Sequence, residues 1–371
     1  MSLVRTYLDY NATAPLRAEA RQAVVAALDA FGNASSVHAE GRRARAVIDE
    51  AREAVAALVN AEPGEVVFTS GATESNVWAI SLPWERIALA GIEHDSVRIP
   101  AARLAAARGA SVIEVPVTHD GVADLDGVPL DAATLLVLQC ANNETGVRQD
   151  VAEAGRLATR HGARLHTDAV QAPGRIAVDF KTLGAATMSL SAHKIGGPKG
   201  VGALVVGHGV PLEPLLAGGG QEQRRRGGTE NVAAIAGFGA AAKAALRDLD
   251  DAGRIAALRD RLETEVRRAT PEAIIVGGDA PRLPNTSSIA RSGVSAETLV
   301  IRMDMAGLAV SAGAACSSGK VGESHVLAAM GLPPEIANSA IRVSLGPETT
   351  EQDIAAFLAA WTRICGASLA A

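Results

Sequence analysis

Cysteine is scarce in this chain of 371 residues: Cys140, Cys316 and Cys365 are the only three. So sparse and odd a set is no secreted disulfide framework, and its spacing has none of the paired C-x-x-C steps of a zinc site. Aromatic residues make up only 3% of the chain. The core must therefore come from Ala, Val, Leu and Ile, and so few aromatics argue against nucleobase-stacking platforms. No stretch approaches the roughly 18 consecutive apolar residues of a membrane span. The N-terminus, MSLVRTYLDYNATAPL, lacks the apolar run of a signal peptide. A net charge of −6, scattered along the chain, offers no basic face for nucleic acid. These absences point to a cytoplasmic protein with neither membrane nor nucleic acid as partner, and long enough for about two domains.

Lysine is scarce too. Of 35 basic residues only Lys181, Lys194, Lys199, Lys243 and Lys320 are lysines. Arginine supplies ordinary surface charge here, so a lysine in a neutral, Gly-rich setting asks for a chemical reason.

What is present alternates regularly. Helical periodicity runs through 17–30, 42–59, 96–108 and 151–160. Short β-branched runs occupy 65–69, 86–89, 111–115, 134–138, 163–166, 187–191 and 201–206. The alternation predicts a large α/β unit around a mainly parallel, seven-stranded sheet. Beyond the Gly-rich stretch 218–228 come helices at about 230–246 and 253–268. A smaller α+β unit then has strands at 273–276, 286–290 and 341–345 and helices at 296–303 and 351–364. The expected division is 14–248 for the large domain, with 1–13 and 249–371 forming the small one.

In open α/β sheets the ligand site lies at the carboxyl ends of the strands, and polar clusters follow the predicted strands there. Ser70-Gly71-Ala72-Thr73 opens a helix, either as a phosphate cradle or as a plain helix cap. Asp168 ends an apolar strand, where a carboxylate calls for a cationic partner such as a protonated pyridine nitrogen, an arginine, or a helix end. Lys194, within Ser191-Ala192-His193-Lys194, is either a Schiff-base lysine or a solvated loop residue. His94, between Glu93 and Asp95, could stack, act as a base, or join Asp95, His166 and Asp168 in a metal site, although the spacing is not HExxH. Cys316 lies in the small, polar run Ser311–Lys320, where a thiol is accessible. Cys140 and Cys365 read as packing residues. Gly237–Ala242 sits in an Ala-rich helix without the strand a dinucleotide fingerprint needs. Gly313–Lys320 has one residue too many for a P-loop.

In combination, Tyr7-Leu8-Asp9-Tyr10-Asn11-Ala12-Thr13, Gly32-Asn33-Ala34-Ser35-Ser36-Val37-His38, Phe68–Asn76, Asn142-Asn143-Glu144-Thr145-Gly146 and Ser191-Ala192-His193-Lys194 resemble, in type and order, the cysteine desulfurases. These form the NifS/IscS-like branch of the class V aminotransferase fold, and the resemblance spans essentially the whole chain. It implies a pyridoxal-phosphate-dependent transferase of fold type I, a homodimer with active sites near the subunit interface. It also implies roles: Lys194 holds pyridoxal 5'-phosphate covalently, Asp168 pairs with the ring nitrogen, and His94 stacks on the ring and handles protons. Gln171 and Asn143 bond near the ring oxygen. Ala72, Thr73, Ser191 and His193 bind the phosphate, with Thr229 reaching in from the neighbouring subunit. Asn11, Asn143 and Arg342 bind substrate, Arg342 by clamping its carboxylate.

The implied reaction turns free L-cysteine into alanine. Sulfur passes to Cys316 as a persulfide and then to an acceptor protein for iron–sulfur cluster assembly or thiolation. The run Ser317–His325 departs from the family's Ala-x-Leu-Glu-Pro-Ser-His pattern but keeps its length, which assigns the long-loop type. The sequence shows no C-terminal extension after its last helix of the kind some members use to dock a scaffold, so the acceptor stays open. A selenocysteine lyase or other class V lyase, a metal-dependent hydrolase, and a catalytically silent sulfur-transfer partner are the alternatives.

Overall fold

The computed structural model describes residues 5–313 and 323–366. Thr6–Tyr7 (β1) leads into two helices, Ala18–Leu28 (α1) and Ala39–Leu58 (α2). Then follow Val66–Thr69 (β2), Ala72–Ile80 (α3), Arg86–Ala90 (β3), Asp95–Arg108 (α4), Ser111–Val115 (β4) and Thr134–Val137 (β5). Val151–Arg160 (α5), Arg164–Asp168 (β6), the short Phe180–Leu183 (α6), Thr187–Ser191 (β7) and Gly202–Val206 (β8) complete the large sheet's share. The expected strands and helices are all present, with no end shifted by more than three residues.

The large sheet has seven strands in the order β2-β8-β7-β6-β5-β3-β4. All neighbours are parallel except that β8 runs antiparallel to both β7 and β2. The connection from β7 to β8 spans residues 192–201, too short for the crossover helix that a parallel neighbour requires. Most strands are buried along their whole length, which is why they read as apolar runs without alternation. Helices pack on both faces.

Val232–Asp248 (α7) contacts both α1 and α2 closely. Small residues permit this: a Cβ on Gly239 would lie 2.6 Å from the Ala51 Cα. After Ala252–Ala269 (α8), strands Ile274–Ile275 (β9), Thr286–Ala290 (β10), Ser311–Ala312 (β12) and Ala340–Ser344 (β13) form an antiparallel sheet ordered β12-β13-β10-β9. Leu308–Ala309 (β11) pairs in parallel with β1. Ala296–Met305 (α9), His325–Ala329 (α10), Pro334–Ala337 (α11) and Glu351–Cys365 (α12) accompany this sheet. Leu8 joins its core beside Phe357 and Trp361, so the N-terminal segment is carried by the small sheet. Among the described residues no helix is long and apolar enough to cross a membrane.

Candidate active site

The strand ends converge as the sheet rule demands. Asp168 is the last residue of β6, and Lys194 follows β7 by three residues. His94 caps α4 just after β3, accepting from the Ser96 N–H. A cleft of about 660 Å³ is lined by these three and by Asn11, Ala72, Thr73, Asn143, Gln171, Ser191, His193 and Arg342. Twelve of the thirteen expected site residues are thus accounted for, eleven of them in this cleft and one beside it. The one beside it is Thr229, which is exposed and lines a neighbouring cavity with Ser70, Gly200 and Glu230. The thirteenth, Cys316, lies outside the described residues, as does Lys320.

The first turn of α3 answers the choice between cap and cradle. Gly71 is its N-cap, and among the described residues no side chain caps the turn. Ser70 and Thr73 do not cap it. Instead the Glu74 carboxylate turns back to accept from the Ser70 N–H at 2.8 Å and is itself held by Arg226. Strand β8 presses close here: a Cβ on Gly202 would lie 2.7 Å from the Gly71 Cα. An uncapped helix N-terminus with a hydroxyl at Thr73 suits a phosphate.

Lys194 Nζ donates to the Asn11 carbonyl at 2.5 Å and the Ala12 carbonyl at 3.1 Å, so its amine is held at the cleft by the N-terminal segment. Burial, with Lys194 and Lys199 nearby, pushes His193 down to about 4, so this imidazole is neutral at neutral pH. Asp168 Oδ1 accepts from the Val170 N–H at 2.9 Å and Oδ2 from Asn76 Nδ2 at 2.8 Å. Among the described residues no arginine or lysine forms an ion pair with Asp168.

Arg342, the expected carboxylate clamp, lines the cleft with two of its nitrogens already engaged. Its Nη2 donates to Asp9 Oδ1 at 2.8 Å and its Nη1 to the Asn143 carbonyl at 3.0 Å, while its buried Nε has no partner. Asn11 is a hub, donating to the Asn143 carbonyl and to Thr286 Oγ1 and accepting from Asn285. Gln171 Nε2 donates to the Asn11 carbonyl, and its Oε1 accepts from Arg175 at 2.6 Å.

Sequence reasoning missed Asp9, Asn76, Ser96 and Arg175. Asp9 and Asn76 stood inside quoted motifs; Ser96 and Arg175 gave no signal. The four-residue metal reading is overturned. Among the described residues no three His, Cys, Asp or Glu side chains converge as a metal site. The amide of Asn76 and the hydroxyl of Ser96 stand between His166 and His94.

Comparison with known proteins agrees with this geometry. Residues 6–357 match the aminotransferase class-V family. The chain belongs to that family. Its relatives include a cysteine desulfurase of Sinorhizobium fredii, 44% identical over 361 residues, covering 94% of this chain and 93% of the relative. A cysteine desulfurase IscS of Dictyoglomus turgidum is 39% identical over 360 residues, with 94% and 91% covered. Among solved structures, a NifS-like protein from Rickettsia africae superposes with a TM-score of 0.88 at 33% identity, over 97% of this chain and 99% of that one. The fold is therefore the type I architecture of pyridoxal-phosphate enzymes, and pyridoxal phosphate is the family's cofactor.

The residues present fit that group. Among the described residues, a helix start without a side-chain cap lies at one end of the cleft, a carboxylate without an ion pair at the end of β6, and an amine at Lys194.

Proposed function

We propose that this protein is a cysteine desulfurase that converts L-cysteine to L-alanine and transfers the sulfur to Cys316. The observation that carries the reading is the meeting of Lys194, Asp168, His94 and Arg342 in one cleft at the strand ends. Lys194 would hold pyridoxal phosphate, Asp168 would face its ring nitrogen, and Ala72, Thr73, Ser191 and His193 its phosphate. His94 would lie against the ring, Gln171 and Asn143 beside its oxygen, and Thr229 would complete the phosphate site of a second subunit in a homodimer. Bound there, the cofactor supplies an electron sink that acidifies the carbon bearing the substrate's amine.

The chain's own residues do the rest. Arg342 binds the substrate carboxylate with the face that Asp9 and Asn143 leave open, Asn11 and Asn143 frame it, and Lys194 takes and returns the proton. The Cys316 sulfur bonds to the substrate sulfur as the carbon–sulfur bond breaks. The carbon keeps that electron pair and gains a proton, so cysteine and one thiol become alanine and one persulfide. The persulfide passes to an acceptor protein for iron–sulfur cluster assembly or thiolation, in the cytoplasm. We take 14–248 as one domain and 1–13 with 249–371 as the other, so that the cleft lies between them.

The test is twofold. Borohydride should fix the cofactor on Lys194, located by peptide mass analysis. Cys316→Ala should retain the visible absorption of the lysine-bound cofactor yet lose alanine formation about a hundredfold or more, the scale expected when a reacting group is removed. Full alanine formation by Cys316→Ala would end the persulfide reading.

A further inference from the structure

Asn76, fully buried in α3, joins two groups that line the cleft. One hydrogen of its amide nitrogen goes to Asp168 Oδ2 at 2.8 Å, the other to Ser96 Oγ at 2.8 Å. Its oxygen faces His166 Nε2 at 3.0 Å, and His166 Nδ1 faces Thr187 Oγ1 at 2.8 Å. Ser96 in turn meets His94 Nδ1 twice, through Oγ at 2.8 Å and through its backbone N–H at 3.0 Å.

The direction of every bond in this chain follows from its two ends. A carboxylate only accepts, so the nitrogen of Asn76, and not its oxygen, must face Asp168. The oxygen is thereby committed to His166, whose Nε2 carries the hydrogen and whose Nδ1 accepts from Thr187. Burial pushes the His166 imidazolium form well below its usual range, in keeping with a neutral ring that donates on one side and accepts on the other. At the other end a backbone N–H only donates. That N–H needs the lone pair of His94 Nδ1, so Nδ1 carries no hydrogen, and Ser96 Oγ, 2.8 Å from the same nitrogen, must donate its own. Two donors therefore converge on one imidazole nitrogen.

We infer that the Asn76–Ser96 relay locks His94 in the tautomer whose proton sits on Nε2, making His94 a proton donor to the cleft and Asn76 and Ser96 its positioning residues. A base must offer a lone pair, and the Nδ1 lone pair of this ring is taken up by Ser96. A hydrogen on Nδ1 would stand head to head with the Ser96 N–H. His94 thus serves an electron-rich atom of the bound group or substrate, such as a sulfur or oxygen anion, and removal of the substrate's carbon-bound proton falls to Lys194. The consequence for catalysis rests on the desulfurase reading, but the tautomer does not.

The test is two-bond proton–nitrogen spectroscopy of holoenzyme labelled with 15N-histidine, the His94 signal being the one absent from His94→Gln. The expected result is a single neutral tautomer with an unprotonated Nδ1 and a protonated Nε2. Ser96→Ala should move the Nδ1 signal toward that of a solvent-exposed histidine, Asn76→Ala should do the same, and Ser96→Thr should restore it, with melting curves confirming that each variant is folded. An Nδ1-protonated ring in the wild type, or a signal indifferent to both alanine variants, overturns the proposal. Visible absorption of the same samples separates the two ideas. A protein without the lysine-bound cofactor band but with His94 locked refutes the cofactor assignment alone, and one with the band but an Nδ1-protonated His94 refutes the relay alone.

Discussion

Two carboxylates stand behind the cleft, one on each side, and the protein treats them differently. On the large-sheet side Asp168 accepts from neutral donors, an amide nitrogen and a backbone N–H, and among the described residues it forms no ion pair. On the small-sheet side Asp9 accepts from Arg342 at 2.8 Å and from Ser311 Oγ at 2.8 Å, so charge and hydrogen bonds are met together. An unpaired charge held in place by dipoles is an attachment point for a cation brought by a ligand. A paired one is a device for aiming its partner. The distinction lies in the neighbours, since the two side chains are chemically identical.

The largest effect should come from breaking the unpaired side. Asp168→Asn removes the charge at unchanged size, and the rate of alanine formation should fall by about 10²–10⁴-fold, the range for losing one proton-handling group. Cofactor retained on Lys194 with turnover unchanged would show that the charge on the large-sheet side is dispensable.

On the paired side Arg342→Lys keeps the charge but loses the planar fork, which cannot then serve Asp9, Asn143 and a carboxylate together. KM for cysteine should rise by roughly 10–100-fold, as expected for one or two charge-assisted hydrogen bonds of about 1.5–3 kcal/mol, with kcat changed little. Asp9→Asn should move KM in the same direction by less, because the bond from Arg342 to the Asn143 carbonyl remains. A fall in kcat alone would place Arg342 in the chemistry instead of in substrate binding.

The last effect is on stability and not on turnover, and concerns Glu93, whose fully buried carboxyl is raised to about 8 by desolvation. Its Oε1 accepts from the Gln139 N–H at 2.7 Å, and its Oε2 has no partner. The unfolded chain releases this proton near pH 4.5 while the folded chain keeps it to about pH 8. Stability should therefore decline by about 1.4 kcal/mol per pH unit across that window and be level on either side of it. Glu93→Gln should flatten the slope in urea unfolding titrations at several pH values. His193, pushed down to about 4, acts oppositely: the unfolded chain takes up a proton first, so stability is lost as pH falls from about 6.5 toward 4. A pH profile identical in wild type and Glu93→Gln would mean that Glu93 is ionised within the fold.

Much of the site was legible because Asp168, Lys194 and His94 lie at a strand end or within four residues of one. Short-range pattern was enough to find Lys194, Asp168 and His94. The direction of β8 was not drawn from the apolar pattern, which is the same in either orientation; the short span from 192 to 201 held the information. The pairing of Arg342 with Asp9 could not be read, since a bond between residues 333 positions apart leaves no local trace. Ser96 was invisible for another reason. A serine in the first turn of a helix has an ordinary explanation, and only the approach of Asn76 from α3 gives its hydroxyl a direction.

By itself the sequence determined the order of strands and helices, the buried apolar runs, and which chemical groups end up near strand ends. These are set by neighbours along the chain, through side-chain size, branching and periodicity. The tertiary structure alone decided which carboxylate keeps its charge unpaired, which nitrogen of His94 is occupied, and what Arg342 has left to offer. Those properties depend on hydrogen bonds whose two ends lie on different elements, and a bond has a direction only once both of its partners are in place.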